Sequence, residues 1–280
     1  MISGENGRVR HGHPPMTKAK TPNLASKTIE ILTTQSFLFR GLEKDPLLRN
    51  LDPVVLTSEK LYSNRPVFTA FRPNDWQEYL YIVVDGGPVI MRSTPLDRVM
   101  AITYPGGCFG MRSLPVGVGS AARAFPSLVE AYKTTNVIKI PVQVVQDFYN
   151  QNETFRERYT LLFELREKFQ YHLLNCSTYP PQAVAAVLRA LIFQERSLGA
   201  QPVGSKVEYV FDLPIDLIAR ACQLNHRTVE QVLKGLTKAG YLQTDKSTES
   251  ASDLVRVIDA EGLKEVYGAT RDKVTWWPLK

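Results

Sequence analysis

The side chains best suited to recognition chemistry lie in one stretch, "NHRTVEQVLKGLTKAGYL", from Asn225 to Leu242. Arg227 carries a planar fork that can give two hydrogen bonds to guanine O6 and N7, and Gln231 can pair with adenine in the same way. His226 stands beside them. Thr228 and the cap region suit a phosphate, and Lys234 and Lys238 can add charge along a phosphodiester backbone. None of this works unless the segment is a helix held in one rotation. Asn225 is a good N-cap, accepting from an N–H two or three residues on. Val229, Val232, Leu233 and Leu236 recur at helical spacing and make a buried stripe. Gly240 supplies the left-handed stop. With the stripe inward, His226, Arg227 and Gln231 point to solvent. A solvated face on an ordinary core helix is the competing reading.

The flanking elements decide between the two. Before the stretch, "LPIDLIARACQL" reads as a short amphipathic helix with Ile215, Ile218 and Ala219 inward and Leu224 plugging the turn. After it, "YLQTDKSTESASDLVRVID" reads as two strands around a polar loop. Two helices with so short a turn make a helix-turn-helix, and the hairpin is its wing. In that geometry the first turns of the second helix enter the major groove. Charge agrees with this placement. Residues 200–280 hold eleven cations and eleven anions, yet Arg220, Arg227, Lys234 and Lys238 face Glu230 alone between Arg220 and Lys238.

The rest of the chain divides by periodicity. The first thirty residues are polar and rich in Gly and Pro, and are expected to be a disordered extension. "SFLFRGLEKDPLLRN" reads as a short helix. Residues 51–141 alternate short apolar runs with Gly, Pro, Asn and Asp, the signature of a small antiparallel barrel or sandwich. "YLYIVVDGGPVIMR" is expected to be a hairpin turning at Asp85-Gly86-Gly87, and "SLVEAYKTTNVIKIP" adds two strands. After Pro141 some 35 residues lack Gly and Pro, with a helix restart at Asn152. There Phe155, Tyr159, Leu162, Phe169 and Leu173 recur near the spacing of a coiled-coil seam, interrupted by Arg166. A helix lying on its own barrel and a dimer helix both fit; the second apolar face at Leu161, Phe163, Leu165 and Leu174 favours dimerisation. Pro180-Pro181 opens the next helix and makes a hinge, and "VGSKVEYVFDLP" reads as a short strand pair. The boundaries expected are 1–30 extension, 31–141 sensory β-barrel, 142–178 dimerisation helix, 179–270 winged helix-turn-helix and 271–280 tail.

This order of parts resembles the cyclic-AMP receptor/FNR superfamily of bacterial transcription regulators. The resemblance covers roughly residues 36–268 and is carried by "YLYIVVDGGPVIM", "YPGGCFGM" and "LIARACQLNHRTVEQVLKGLTKAGYL". It implies an α+β fold: a cyclic-nucleotide-binding-type β-barrel (jelly roll), a long dimerisation helix and a C-terminal winged helix-turn-helix. It implies a homodimer on a roughly palindromic stretch of double-stranded DNA, with RNA polymerase and a small-molecule effector as further partners. Asn225, His226, Arg227, Thr228 and Val229 fit the family's layout, but His226-Arg227 replaces the common Arg-Glu and Gln231 stands where a second Arg is usual.

The sensory part departs further. Members that bind cyclic AMP hold its ribose with a Glu soon after the "FG" and its phosphate with an Arg and a small polar residue. Here Phe109-Gly110 is followed by Met111 and Arg112, Phe125 and Pro126 take the phosphate positions, and Arg123 comes two residues early. Gly110, Met111, Arg112 and Arg123 therefore outline an effector pocket for something else, a small anion such as a 2-oxo acid, or a plain loop without a ligand. Other sensors fail on residue types. Three separate cysteines, Cys108, Cys176 and Cys222, are too few for an iron–sulfur cluster, which needs about four, and give no disulfide framework. His172 is the only His between Pro14 and Asn225, and none lies in 51–141, which disposes of a metal-dependent barrel enzyme. No catalytic triad, phosphate loop or paired carboxylates are present, so no enzyme, cofactor or metal is expected. No apolar run approaches the roughly 18 residues of a membrane span, and the N-terminus lacks a signal-peptide core, so no membrane partner is expected and a cytoplasmic location is. The competing function is an interaction module that touches DNA weakly. Cyclic AMP at physiological concentration should give no heat in titration calorimetry; a micromolar dissociation constant would show the loop alignment to be wrong.

Overall fold

The computed structural model describes residues 24–43, 51, 56–70, 78–93, 97–111, 127–174, 179–199, 209–244, 253–268 and 274–278. Its N-terminal half is a sandwich of eight strands: β1 (Thr57–Leu61), β2 (Pro66–Ala70), β3 (Tyr79–Asp85), β4 (Val89–Ser93), β5 (Val99–Thr103), β6 (Cys108–Phe109), β7 (Ser127–Ala131) and β8 (Thr135–Pro141). They form two antiparallel four-stranded sheets, in the orders β1-β8-β3-β6 and β2-β7-β4-β5. This is jelly-roll pairing, with the sheets stacked and open-edged. The expected hairpin is corrected: β3 pairs with β8 and β6, while β4 pairs with β5 and β7. Asp85-Gly86-Gly87 is the crossing from one sheet to the other. The positive φ expected there is present, +80° at Gly86 and +87° at Gly87. A side chain on Gly86 would strike the Thr134 carbonyl, and the Gly87 N–H donates to buried Thr135 Oγ1 at 2.8 Å. Close backbone approach, as well as turn geometry, demands the glycines.

Between the sheets lie Leu61, Tyr81, Val83, Val89, Phe109, Val129 and Val137. Residues one step out of phase, Leu80, Ile82, Ile138 and Ile140, face the other way and are also buried. A strand apolar on both faces needs a second cover, and helices supply it. These are α1 (Leu24–Gln35), α2 (Val142–Gln151) and α3 (Glu153–Leu174), which bring Ile29, Leu32, Val145, Phe148 and Phe155 onto that face. The helix begins at Leu24, inside the stretch read as disordered, and Ser36–Gly41 is a turn where a helix was expected. Only two or three apolar residues anchor α1, too few for periodicity to reveal. Asn152 caps α3 as expected, accepting from the Phe155 N–H at 2.9 Å.

The other sheet is covered by the end of α3 and by α4 (Pro180–Ser197). Ile90, Val99 and Ile102 share one apolar cluster with Phe169, Leu188 and the core of the C-terminal domain. That domain comprises β9 (Tyr209–Asp212), α5 (Ile215–Cys222), α6 (His226–Lys238), β10 (Leu242–Thr244), β11 (Leu254–Val257) and α7 (Gly262–Gly268). Its sheet runs β10-β11-β9. Of the strand pair expected before α5, only β9 lies among the described residues, and its partner is the wing strand β11.

The C-terminal segment packs back onto this domain. Val274 is buried against Tyr179, and Trp276 and Trp277 cover the pair. The Trp276 ring sits on Gly235 in the middle of α6, where any Cβ would overlap it. A glycine inside a helix weakens it by roughly 0.5–1 kcal/mol relative to Ala; here the missing side chain is the seat of the indole. Gly235→Ala should therefore destabilise, by about 1–3 kcal/mol from overpacking, despite the gain in helix propensity. Urea unfolding of the two proteins decides it, and a stabilised variant would show that the tail does not rest on α6.

Candidate nucleic-acid interface

The helix-turn-helix is built from α5 and α6. Leu217, Ile218, Ala219, Ala221 and Cys222 are the buried face of α5. Ile215, expected to be inward, is half-buried at the first turn, and Leu217 takes its place in the core. Gln223 ends α5 in the left-handed region, φ +55° and ψ +39°. Leu224 packs on the core, half-buried, its N–H bonded to the Ala219 carbonyl at 2.9 Å. Asn225 then caps α6, its side chain accepting from the Thr228 N–H at 2.8 Å. Val229, Val232, Leu233 and Leu236 are buried as the stripe requires, and Gly240 has φ +82°.

That rotation sends Asn225, His226, Arg227, Lys234 and Lys238 to solvent and leaves Thr228 and Gln231 half-buried at the rim. Arg227, Lys234 and Lys238 enter no ion pair among the described residues, where six pairs occur elsewhere. The first turn also exposes N–H groups at the positive end of the helix dipole, which favours an anion. The wing, β10 with β11 in antiparallel register, lies directly after α6.

Arg220 does not belong to this face. It reaches the sandwich and pairs with Glu130 of β7 at 3.3 Å, while Arg92 of β4 takes the other carboxylate oxygen at 2.8 Å. Glu130 is only 8% exposed. The same seam carries Lys133 on Asp212 at 2.6 Å, the Tyr132 hydroxyl donating to Asp216 at 2.5 Å, and the Tyr104 hydroxyl donating to the Asp212 carbonyl at 3.0 Å. Burial, then the bond to Asp216, raise the Tyr132 phenol above its ordinary pKa. Sequence reading found none of these partners. Their only signal is a Glu and a Lys at the end of a β-rich strand, which is equally ordinary surface.

The other predicted residues divide. Gly110 has φ +81°, and Met111 lines a small cavity of about 40 Å³ with Cys108, Leu162, Leu165, Phe169 and Arg166; Arg112 and Arg123 lie outside the described residues. Arg166 binds the Met91 sulfur at 3.1 Å, and burial lowers its pKa. Burial pushes the Cys108 thiol up to about 12. Of the seam residues on α3, Phe155, Tyr159 and Phe169 are at most 2% exposed within the single chain, packed on Phe39, Phe148 and the sandwich; Leu162 and Leu173 are half-buried. The 3.5-residue pattern marks the inner face of the helix. Its exposed side carries Thr160, Glu164, Glu167 and Tyr171. Among the described residues no group of three or more His, Cys, Asp or Glu is placed to hold a metal, and no helix is long and apolar enough to cross a membrane.

Sandwich, long helix and winged helix-turn-helix, in this order, have counterparts among solved structures. No family model matches the chain, and no curated protein matches it in sequence. In shape it is similar to FixK2 from Bradyrhizobium japonicum, with a TM-score of 0.56 at 16% identity over 77% of this chain and 99% of that one. A CooA variant from Carboxydothermus hydrogenoformans gives 0.52 at 15% over 79% and 90%. A CRP-family transcriptional regulator from Thermus thermophilus, TTHB099, gives 0.50 at 16% over 76% and 97%. The chain has the fold of these proteins from end to end of their length.

The Glu130 junction can be tested by a double-mutant cycle. Removing either partner leaves a desolvated charge behind, so Glu130→Gln and Arg220→Ala should each cost about 1–3 kcal/mol. The pair should cost less than their sum by about 1 kcal/mol or more. Strict additivity in urea unfolding would show that the two groups do not interact.

Proposed function

We propose that this chain is a sequence-specific DNA-binding transcription regulator of the CRP-FNR type. The carrying observation is the exposed first turn of α6: a capped helix start presenting His226 and Arg227, with Lys234 and Lys238 behind, and with Arg227 and both lysines outside every ion pair among the described residues. The shared fold supports the reading, since the TTHB099 protein is described as a transcriptional regulator.

The protein acts as a homodimer, with the two α6 helices about 34 Å apart, one turn of DNA, so the operator is roughly palindromic. Because the inner face of α3 is occupied by its own chain, the partner meets the outer side, around Thr160, Glu164 and Tyr171. RNA polymerase is a further partner at the promoter. The effector is not cyclic AMP, since Met111 stands where a ribose-binding Glu would be. The reaction is binding alone, without catalysis.

Arg227→Ala should cost about 1–3 kcal/mol on the best site and relax the preference at one base pair of each half-site. Lys234→Ala should weaken all sequences alike and flatten the salt slope by about one unit per subunit. Gel shifts across a salt series, on a site selected from random DNA, measure both. If neither variant changes affinity or specificity, α6 is not the reader and the interaction-module reading takes over.

A further inference from the structure

A second cavity, of about 110 Å³, lies where the sandwich meets the C-terminal domain. The turn after α1, the β5–β6 loop and the end of α4 wall it. Their contacts to each other are fixed. The Phe37 N–H donates to the Gly106 carbonyl at 3.1 Å, Gln194 Nε2 to the Ile102 carbonyl at 3.3 Å, and Arg40 Nη2 to the Leu198 carbonyl at 3.0 Å. Gly106 has φ +87°, and a side chain there would press on the Gln35 carbonyl. Hydrogen bonds therefore tie the three walls of the cavity to one another.

Its two charged lining groups have opposite sign and are not paired with each other. Glu195 forms no hydrogen bond or ion pair among the described residues, and burial alone, with no cation offsetting it, pushes its carboxyl up. Arg40 lines the same cavity and uses one of its five donors among the described residues. Arg158 stands behind it, giving its own donors to the Leu38 and Arg40 carbonyls, and the charges of Arg40 and Arg158 oppose one another. The cavity is thus lined by one carboxylate and one guanidinium that are not bonded to each other, together with the Phe37 and Tyr104 rings.

We propose that this cleft binds a small zwitterion, a free amino acid, whose ammonium meets Glu195 and whose carboxylate meets Arg40. A simple anion would face the Glu195 carboxylate, and a simple cation would face Arg40 and Arg158. A zwitterion satisfies both groups and keeps the site neutral. The cavity, about 110 Å³ and partly open to solvent, is of a size that suits a small amino acid such as glycine, alanine or serine. Because one wall belongs to the sandwich side and the other to α4, the ligand bridges the two parts of the chain. Any effect on DNA binding rests on the function proposed above; the binding itself does not.

The test is titration calorimetry of the full chain with glycine, alanine and serine, alongside lactate, which lacks the ammonium, and ethylamine, which lacks the carboxylate. At least one of the three amino acids should bind, and neither control should. Glu195→Gln and Arg40→Gln should each weaken binding by about tenfold or more, while Arg40→Lys, which keeps the charge, should retain part of it. Thermal melts verify that each variant is folded. The proposal is overturned if no amino acid gives heat at millimolar concentration, if lactate or ethylamine binds as tightly, or if the Gln variants bind as the parent does. Gel shifts on the same samples separate the two readings. A parent chain that binds DNA but no amino acid sinks this inference alone, and a parent chain that binds an amino acid but no DNA sinks the regulator reading alone.

Discussion

A carboxylate that cannot be left alone joins the two halves of this protein. Glu130 sits at the end of β7, almost out of reach of water, and a bare charge there would cost several kcal/mol. Arg92 from the neighbouring strand neutralises it from within the sheet, and Arg220 from the helix-turn-helix does so from outside. The second contact fixes where α5 lies, and α6 follows from α5 through a three-residue turn. The placement of the recognition face is thus tied to a charge in the sandwich. Lys133–Asp212 and Tyr132–Asp216 repeat the arrangement along the same edge. Beside these polar contacts Ile90, Val99 and Ile102 share one apolar cluster with the C-terminal core, so the junction is held by both kinds of contact.

Helix α6 is held from behind as firmly as it is exposed in front. Val229, Val232 and Leu236 are fully buried, and the Trp276 ring closes over Gly235. The same tail touches Tyr179, just before the Pro pair that opens α4. The start of α4 and the middle of α6 are therefore in contact through one short segment that composition describes only as a tail. Under the DNA-binding function proposed above, rigidity at the back has a use at the front, because base edges are read by hydrogen bonds that tolerate little misplacement.

The long helix shows where pattern reading reaches its limit. A 3.5-residue apolar repeat says that one face of α3 is covered, and it is. It does not say by what. Phe155 and Tyr159 are covered by α1, α2 and the first sheet, and Phe169 by the second sheet and α4. The repeat alone cannot distinguish a partner chain from distant segments of the same chain, since both remove the same apolar area from water. The hairpin at Asp85 erred for a related reason. Two glycines specify a change of direction with positive φ, and either a hairpin or a crossing between stacked sheets meets that demand.

By itself the sequence determined what local chemistry controls. The cap at Asn225, the stop at Gly240, the stripe on α6 and the restart at Asn152 all depend on residues within one or two helical turns of each other, and each stands where its residue types require. So do the order of elements and the outward direction of His226 and Arg227. The tertiary structure alone decided every pairing between residues far apart in the chain. Glu130 with Arg220, Trp276 with Gly235, Met91 with Arg166 and the lining of one cavity by Glu195 and Arg40 each bring together groups from separate elements. An exposed charge and a charge awaiting a distant partner have the same letters and the same neighbours in sequence. Only the packing of two sheets and their covering helices, driven by apolar area that has no directional preference, sets which of them meet.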